Sequence, residues 1–193
     1  GCKTAHSTFK FPLHNLDWST LCKIKHPSNL SEMISQTEIF IWDEISMVNK
    51  FLLNALDKSL RNIMGEQNEA LAKLPFGGKL ILMAGDFRQT LPILKRKPEK
   101  DSVAVCVTNL PFWPKVNVFR LTKNFRLQSP TTKKEKKLFE HFDKFLKGVG
   151  NGTIHVDSQG TIEIPEYLTL DKQTPELDDL VDWTYPDIRN HKN

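Results

Sequence analysis

Four bulky apolar residues in a row, Ile39-Phe40-Ile41-Trp42, run straight into two acids, Asp43-Glu44. A continuous apolar run of this length reads as a strand buried on both faces, as in a parallel sheet. The pattern recurs. After the turn residues Phe76-Gly77-Gly78, a second run, Lys79-Leu80-Ile81-Leu82-Met83-Ala84, ends at Gly85-Asp86. Between the two runs Met47, Val48, Phe51, Leu52, Ala55, Leu56, Leu60 and Ile63 recur at spacings of three and four, which predicts a helix with one broad apolar face. Strand, helical crossover and strand together predict a βαβ unit and an α/β fold with a parallel sheet. Val116 to Leu121, just after the turn-forming Pro114, is a third strand candidate.

The character of the chain changes at Pro130. Thr131 to Gly148 predicts a Lys-rich helix with Leu138, Phe139, Phe142, Phe145 and Leu146 on its apolar side. Short strand-like pieces follow, such as Thr161-Ile162-Glu163-Ile164, and the last 20 residues are polar. The expected boundary lies near Ser129-Pro130, giving a first domain over 1–129 and a second over 130–193.

Charge is unevenly spread. Nine acids and one base lie between Asp157 and Asp187, while the whole chain carries a net +4, so the first 156 residues are strongly basic. A basic body suits a polyanion such as nucleic acid, and equally a solvated Lys-rich surface. Cys2, Cys22 and Cys106 are scattered and odd in number, which argues against a disulfide framework or zinc site and for a reducing compartment. No apolar run approaches the ~20 residues of a membrane span, so no membrane association is expected. The first residue is Gly1 rather than Met, so sequence upstream of it is expected.

Ligands of open parallel sheets bind outside the carboxyl ends of the strands. Both runs deliver acids there: Asp43 and Glu44 from one, Asp86 from the other. Carboxylates at such an edge can hold Mg²⁺ or orient a water attacking a phosphate. They can also do no more than cap the helix that follows. Three further segments stand out. Gly85-Asp86-Phe87-Arg88-Gln89-Thr90-Leu91-Pro92 places a Gln, which senses a phosphate or water without adding charge, beyond the second strand. Leu121-Thr122-Lys123-Asn124-Phe125-Arg126-Leu127-Gln128 carries an Arg near the domain junction, able to act as an arginine finger. Lys3-Thr4-Ala5-His6-Ser7-Thr8-Phe9-Lys10-Phe11-Pro12 interleaves hydroxyls, bases and aromatics. Such a mixture can grip a single nucleic-acid strand or serve as a loop anchored by buried Phe.

Taken in order, these segments resemble the Pif-type (petite integration frequency) DNA helicases of superfamily one, in particular the Helitron-like forms. Gly1 to Leu13 is similar to the family's DNA-contacting motif, Ile39 to Met47 to its Walker B segment, Gly77 to Ile93 to its third motif and Leu121 to Gln128 to its fourth. Phe112-Trp113-Pro114, Gly160 to Tyr167 and Tyr185-Pro186-Asp187 extend the likeness over nearly the whole chain. The resemblance implies a RecA-like parallel sheet with helices on both faces, truncated at its N-terminus, followed by the start of a second RecA-like domain. It implies an ATP-dependent, 5′-to-3′ helicase that binds ATP, Mg²⁺ and single-stranded DNA as a monomer. The work implied is DNA repair, recombination and telomere maintenance, or transposition, in the nucleus or alternatively the mitochondrion. By position, Asp43 would hold Mg²⁺, Glu44 would polarise the attacking water, Gln89 would sense the γ-phosphate and Arg126 would reach it. Thr4, His6, Ser7 and Phe9 would lie beside DNA.

One departure is plain. The family's Gly-rich phosphate loop, ending in Gly-Lys-Thr or Gly-Lys-Ser, does not occur in these 193 residues. The chain alone is therefore expected to be inactive as an ATPase. Two alternatives stand beside this expectation: a non-catalytic, single-strand-binding remnant of a transposon helicase, and a Mg²⁺-dependent nuclease built on Asp43, Glu44 and Asp86.

Overall fold

The two apolar runs form a parallel pair, β1 (Ile39–Trp42) and β2 (Leu80–Met83), with Ile39 opposite Leu80 and Trp42 opposite Met83. A computed structural model describes residues 4–94, 98–125, 132–170 and 176–188. It divides the chain into two units, Gly1–Phe125 and Arg126–Asn193.

In the first unit the elements run α1 (Ala5–Phe9), α2 (Asn29–Gln36), β1, α3 (Lys50–Gln67), α4 (Glu69–Ala72), β2 and α5 (Glu99–Ala104). The expected crossover helix is α3, and it starts later than the periodicity suggests. Met47 and Val48 belong to a 3₁₀ turn over Ile45–Met47 and its exit, and Asn49 caps α3 through Oδ1, which accepts from the Phe51 amide at 3.0 Å. Asn at this position satisfies a helix-end donor that no backbone carbonyl reaches. Leu53, Ala55, Leu56 and Leu60 of α3 are completely buried and meet Ile34 of α2 and Val107 in one core.

That core lies against one face of the sheet. Phe40, Trp42, Ile81 and Met83 pack on it, whereas Ile39, Ile41, Leu80 and Leu82 on the other face are 45, 71, 63 and 51% exposed. Burial on both faces, expected from the continuous apolar runs, is thus met on one face among the described residues. The third strand candidate is not a strand. Residues 117–121 are irregular, and Val118, Phe119 and Leu121 are exposed. A strand exists through its ladder, and this segment meets no partner among the described residues.

The return from α3 to β2 is built around a buried carboxylate. Asp57 accepts from the Phe76 amide and from Arg61 Nε, at 3.0 and 2.9 Å to its two oxygens, while Arg61 also reaches the Lys73 carbonyl at 3.2 Å. Phe76 and Gly77 both take positive φ, 54° and 63°. A Cβ on Gly77 would lie 2.6 Å from the Leu60 carbonyl oxygen, so the turn presses backbone directly on α3 and admits only Gly there.

The second unit holds α6 (Lys133–Gly150) and α7 (Leu177–Thr184). Thr132 and Glu135 form a reciprocal cap on α6, each bonding the other's amide at 3.0 to 3.2 Å. Leu138 and Leu146 remain exposed, and no described side chain of this unit is fully buried. The strand-like Thr161–Ile164 is instead the exit of a turn, in which the Asp157 amide donates to the Thr161 carbonyl at 2.9 Å.

Asp57→Ala removes the acceptor for a buried amide and strands part of the Arg61 charge. It is expected to cost about 2 to 3 kcal/mol in urea-induced unfolding. Gly77→Ala is expected to destabilise as well, through the clash with α3, whereas exposed Ala72-side neighbours such as Lys73→Ala should shift the midpoint by less than about 0.5 kcal/mol.

Candidate functional site

The carboxyl ends of β1 and β2 are stitched to each other. The Ala84 amide donates to the Trp42 carbonyl at 2.9 Å, and the Ile45 amide donates to the Ala84 carbonyl at 2.8 Å. Gly85 completes the seam. A Cβ there would stand 3.1 Å from the amide nitrogens of Ile45 and Ser46, so a side chain would push the two backbones apart by a few tenths of an ångström. The structure therefore brings the Asp43-Glu44 turn and the Gly85–Gln89 loop to a common edge.

Asp43 and Glu44 are exposed at this edge. Asp43 Oδ1 accepts from the Glu44 amide at 2.8 Å. Glu44 sits in the left-handed region, φ 56° and ψ 40°, and its side chain makes no capping bond to the turn that follows. The helix-capping reading open from sequence is thus not realised by Glu44. A left-handed conformation in a residue with a side chain is uncommon and aims it away from the regular path of the strand.

Asp86 is engaged otherwise. Its carboxylate takes both Arg88 Nε and an Arg88 terminal nitrogen at 3.0 Å, and the Arg88 amide at 3.0 Å. These bonds hold the Asp86 carboxyl down at about 2, and the same partner raises the Arg88 guanidinium. Asp86 is a loop brace rather than a ligand-binding acid. Phe87 adds a second brace, edge-on to Trp113 with ring centroids 6.0 Å apart. Gln89 donates its amide to the Asp86 carbonyl at 3.1 Å and is exposed. The nuclease alternative loses its third carboxylate here. Among the described residues no group of three His, Cys, Asp or Glu side chains could hold a metal ion. Mg²⁺ bound with a nucleotide takes one or two carboxylates, waters and the phosphates themselves, so Asp43 at an exposed edge fits that mode of binding rather than a protein cage.

At the N-terminal segment the structure separates residues that the sequence had grouped. Thr4 caps α1, its Oγ1 accepting from the Ser7 amide at 3.3 Å. Thr4, His6 and Ser7 are exposed. Phe9 is 6% exposed and packs with Phe11, Phe40 and Trp42 at centroid distances of 5.5 to 6.1 Å. A ring enclosed in this way has no face left for a base, so the placement of Phe9 beside DNA is corrected: it anchors α1 to β1. Arg126 lies outside the described residues.

The close approach at Gly85 had a signal in the sequence, a glycine directly after an apolar strand.

Residues 1–160 match the PIF1-like helicase family. Over 142 residues the chain is 32% identical to the ATP-dependent DNA helicase RRM3 of Saccharomyces cerevisiae, covering 72% of this chain and 17% of that protein. Among solved structures, a Pif1 helicase from Bacteroides in complex with ADP-AlF3 and ssDNA superposes with TM-score 0.60 at 24% identity, and Bacteroides Pif1 bound to ssDNA with TM-score 0.57 at 27% identity. Each covers 78% of this chain, and the chain spans 33% of each. Among the described residues no helix is long and apolar enough to cross a membrane.

The Asp86–Arg88 brace generates a pH dependence of known sign. The folded carboxyl is depressed, so its stabilisation is present above the unfolded value near 3.8 and is lost as pH falls toward about 2. Urea midpoints of the parent and Arg88→Ala are therefore expected to differ at pH 6 and to converge between pH 4 and 2. Curves that stay parallel through that window would show that the brace contributes nothing.

Proposed function

The chain belongs to the PIF1-like helicase family, and from that membership we propose that it forms part of an ATP-dependent DNA helicase motor that moves 5′ to 3′ on single-stranded DNA. The observation that carries the reading is the stitched strand edge, where Asp43 and Glu44 stand beside the loop bearing Gln89.

In this reading Asp43 would hold the Mg²⁺ that accompanies the nucleotide, which when bound would supply positive charge to the phosphates. Glu44 accepts a hydrogen bond from the attacking water and orients it. Its left-handed backbone and lack of a capping bond leave the carboxylate available for that role. Gln89, on a loop whose Phe87 packs edge-on to Trp113, would bond the γ-phosphate. Arg126 supplies positive charge to the same phosphate. Thr4, His6 and Ser7 contact the DNA backbone from the outer side of α1, held in place by Phe9 beneath them. We further assign the protein to DNA repair, recombination and telomere maintenance, acting as a monomer in the nucleus. Cys22 and Cys106 are buried free thiols, and burial pushes the Cys22 thiol up to about 11, which leaves it protonated and unreactive.

In the full-length polypeptide encoded by its own reading frame, Glu44→Gln is expected to lower single-strand-stimulated ATP turnover about 10²- to 10⁴-fold. An unchanged rate would remove Glu44 from the reaction and with it this assignment. The 193-residue polypeptide, which contains no Gly-Lys-Thr or Gly-Lys-Ser loop, is expected to turn over ATP at the level of the buffer blank. Robust turnover would overturn that expectation. Salt-sensitive single-strand binding by the full-length polypeptide, with no turnover under any condition, would favour the non-catalytic alternative.

The DNA contacts are separable from the fold. Ser7→Ala, at an exposed side chain, is expected to weaken binding of a fluorescent oligothymidine several-fold while leaving the melting temperature in place, whereas His6→Ala also removes an edge-on contact with Phe11. Phe9→Ala is expected to cost about 3 to 5 kcal/mol of stability by opening the aromatic cluster.

A further inference from the structure

Ser46 stands two residues beyond Glu44, inside the short turn Ile45–Met47. Its side chain is 0% exposed. Its Oγ is the buried side-chain polar atom that, among the described residues, has no hydrogen-bond partner. A hydroxyl buried without a partner loses its bonds to water and recovers nothing, a loss that alanine would not incur. An orphan of this kind in a native fold calls for a role.

Its position supplies one. The Ser46 amide nitrogen lies 3.1 Å from where a Cβ on Gly85 would stand, and the Ile45 amide is already bonded to the Ala84 carbonyl at 2.8 Å. Ser46 is thus on the seam between the turn that carries Glu44 and the loop that carries Gln89. No side chain separates the two backbones at Gly85, so a shift of a few tenths of an ångström in one is felt by the other. Within the loop the Asp86–Arg88 pair keeps the backbone folded on itself, and Phe87 on Trp113 holds it from outside. A pull on Gln89 therefore passes along a stiffened loop to the seam at Gly85.

We propose that Ser46 is a positioning residue whose hydroxyl, unpartnered in this arrangement, bonds a backbone carbonyl of the Gly85–Gln89 loop when Gln89 engages the nucleotide, and so sets Glu44 for the attacking water. The proposal rests on the roles given above to Glu44 and Gln89. The bond forms only in the engaged state, so the interaction favours the step from bound nucleotide toward reaction rather than nucleotide binding itself.

Two measurements test it. In thermal unfolding of the 193-residue chain, Ser46→Ala is expected to keep or raise the melting temperature, because no bond is lost in the resting arrangement. A fall of about 4 °C or more would mean that the hydroxyl already holds a structural bond, and the proposal would be wrong. In the full-length polypeptide, Ser46→Ala is expected to lower single-strand-stimulated kcat about tenfold or more with the KM for ATP unchanged. Ser46→Cys, which fills the same space with a weak donor, is expected to behave like Ser46→Ala. Parent-like kcat in Ser46→Cys would mean that packing alone matters and would overturn the proposal. A parent-like Ser46→Ala beside an inactive Glu44→Gln would overturn it while leaving the role of Glu44 intact. Parent-like rates in both variants would overturn the proposal together with the reading on which it rests.

Discussion

One carboxylate governs where the second strand begins. Asp57 projects from α3 into a nearly dry pocket and takes the Phe76 amide and the Arg61 guanidinium together. That pairing holds Phe76 and Gly77 in the left-handed region, a conformation a bulky residue adopts only when its surroundings compel it. The turn in turn sets the residue at which β2 starts. Because side chains alternate along a strand, a slip of one residue would exchange the faces of Ile81 and Leu82 and carry Gly85 away from the Ile45–Met47 turn. The close approach at the acidic edge is thus a downstream result of a buried polar contact at the far end of the strand.

The sheet presents two different faces to that design. Aromatic rings from the N-terminal segment and β1 cover one side, and α1 is carried on them. The other side is a row of Ile and Leu left exposed among the described residues. The same continuous apolar sequence serves both sides, which is why it predicts double burial. What occupies the second face is not encoded in the run itself.

At the site, tertiary contact sorts acids that look alike in sequence. Asp43, Glu44 and Asp86 all follow apolar strands. Only Asp86 has an Arg two residues on whose guanidinium folds back on it, and it becomes a brace with a depressed carboxyl. Phe9 and His6 are likewise neighbours in one mixed motif, and a single turn of helix sends one to the core and the other to the surface. The residues bearing polar chemistry were legible by type. Which of them remain available was not, because availability depends on partners distant in sequence.

By itself the sequence determined the strand–helix–strand unit, the acids at the strand ends and the family to which the chain belongs. Hydrophobic period and short motifs are local properties, readable without coordinates. Tertiary structure alone decided that, among the described residues, 117–121 meet no strand partner, Phe9 is a core anchor, Asp86 is paired and Ser46 Oγ is buried without a hydrogen bond. Each of these depends on which backbone or side chain arrives from elsewhere to meet the residue. A hydrogen bond or a packed ring requires two partners within a few ångströms, and no window of sequence contains both.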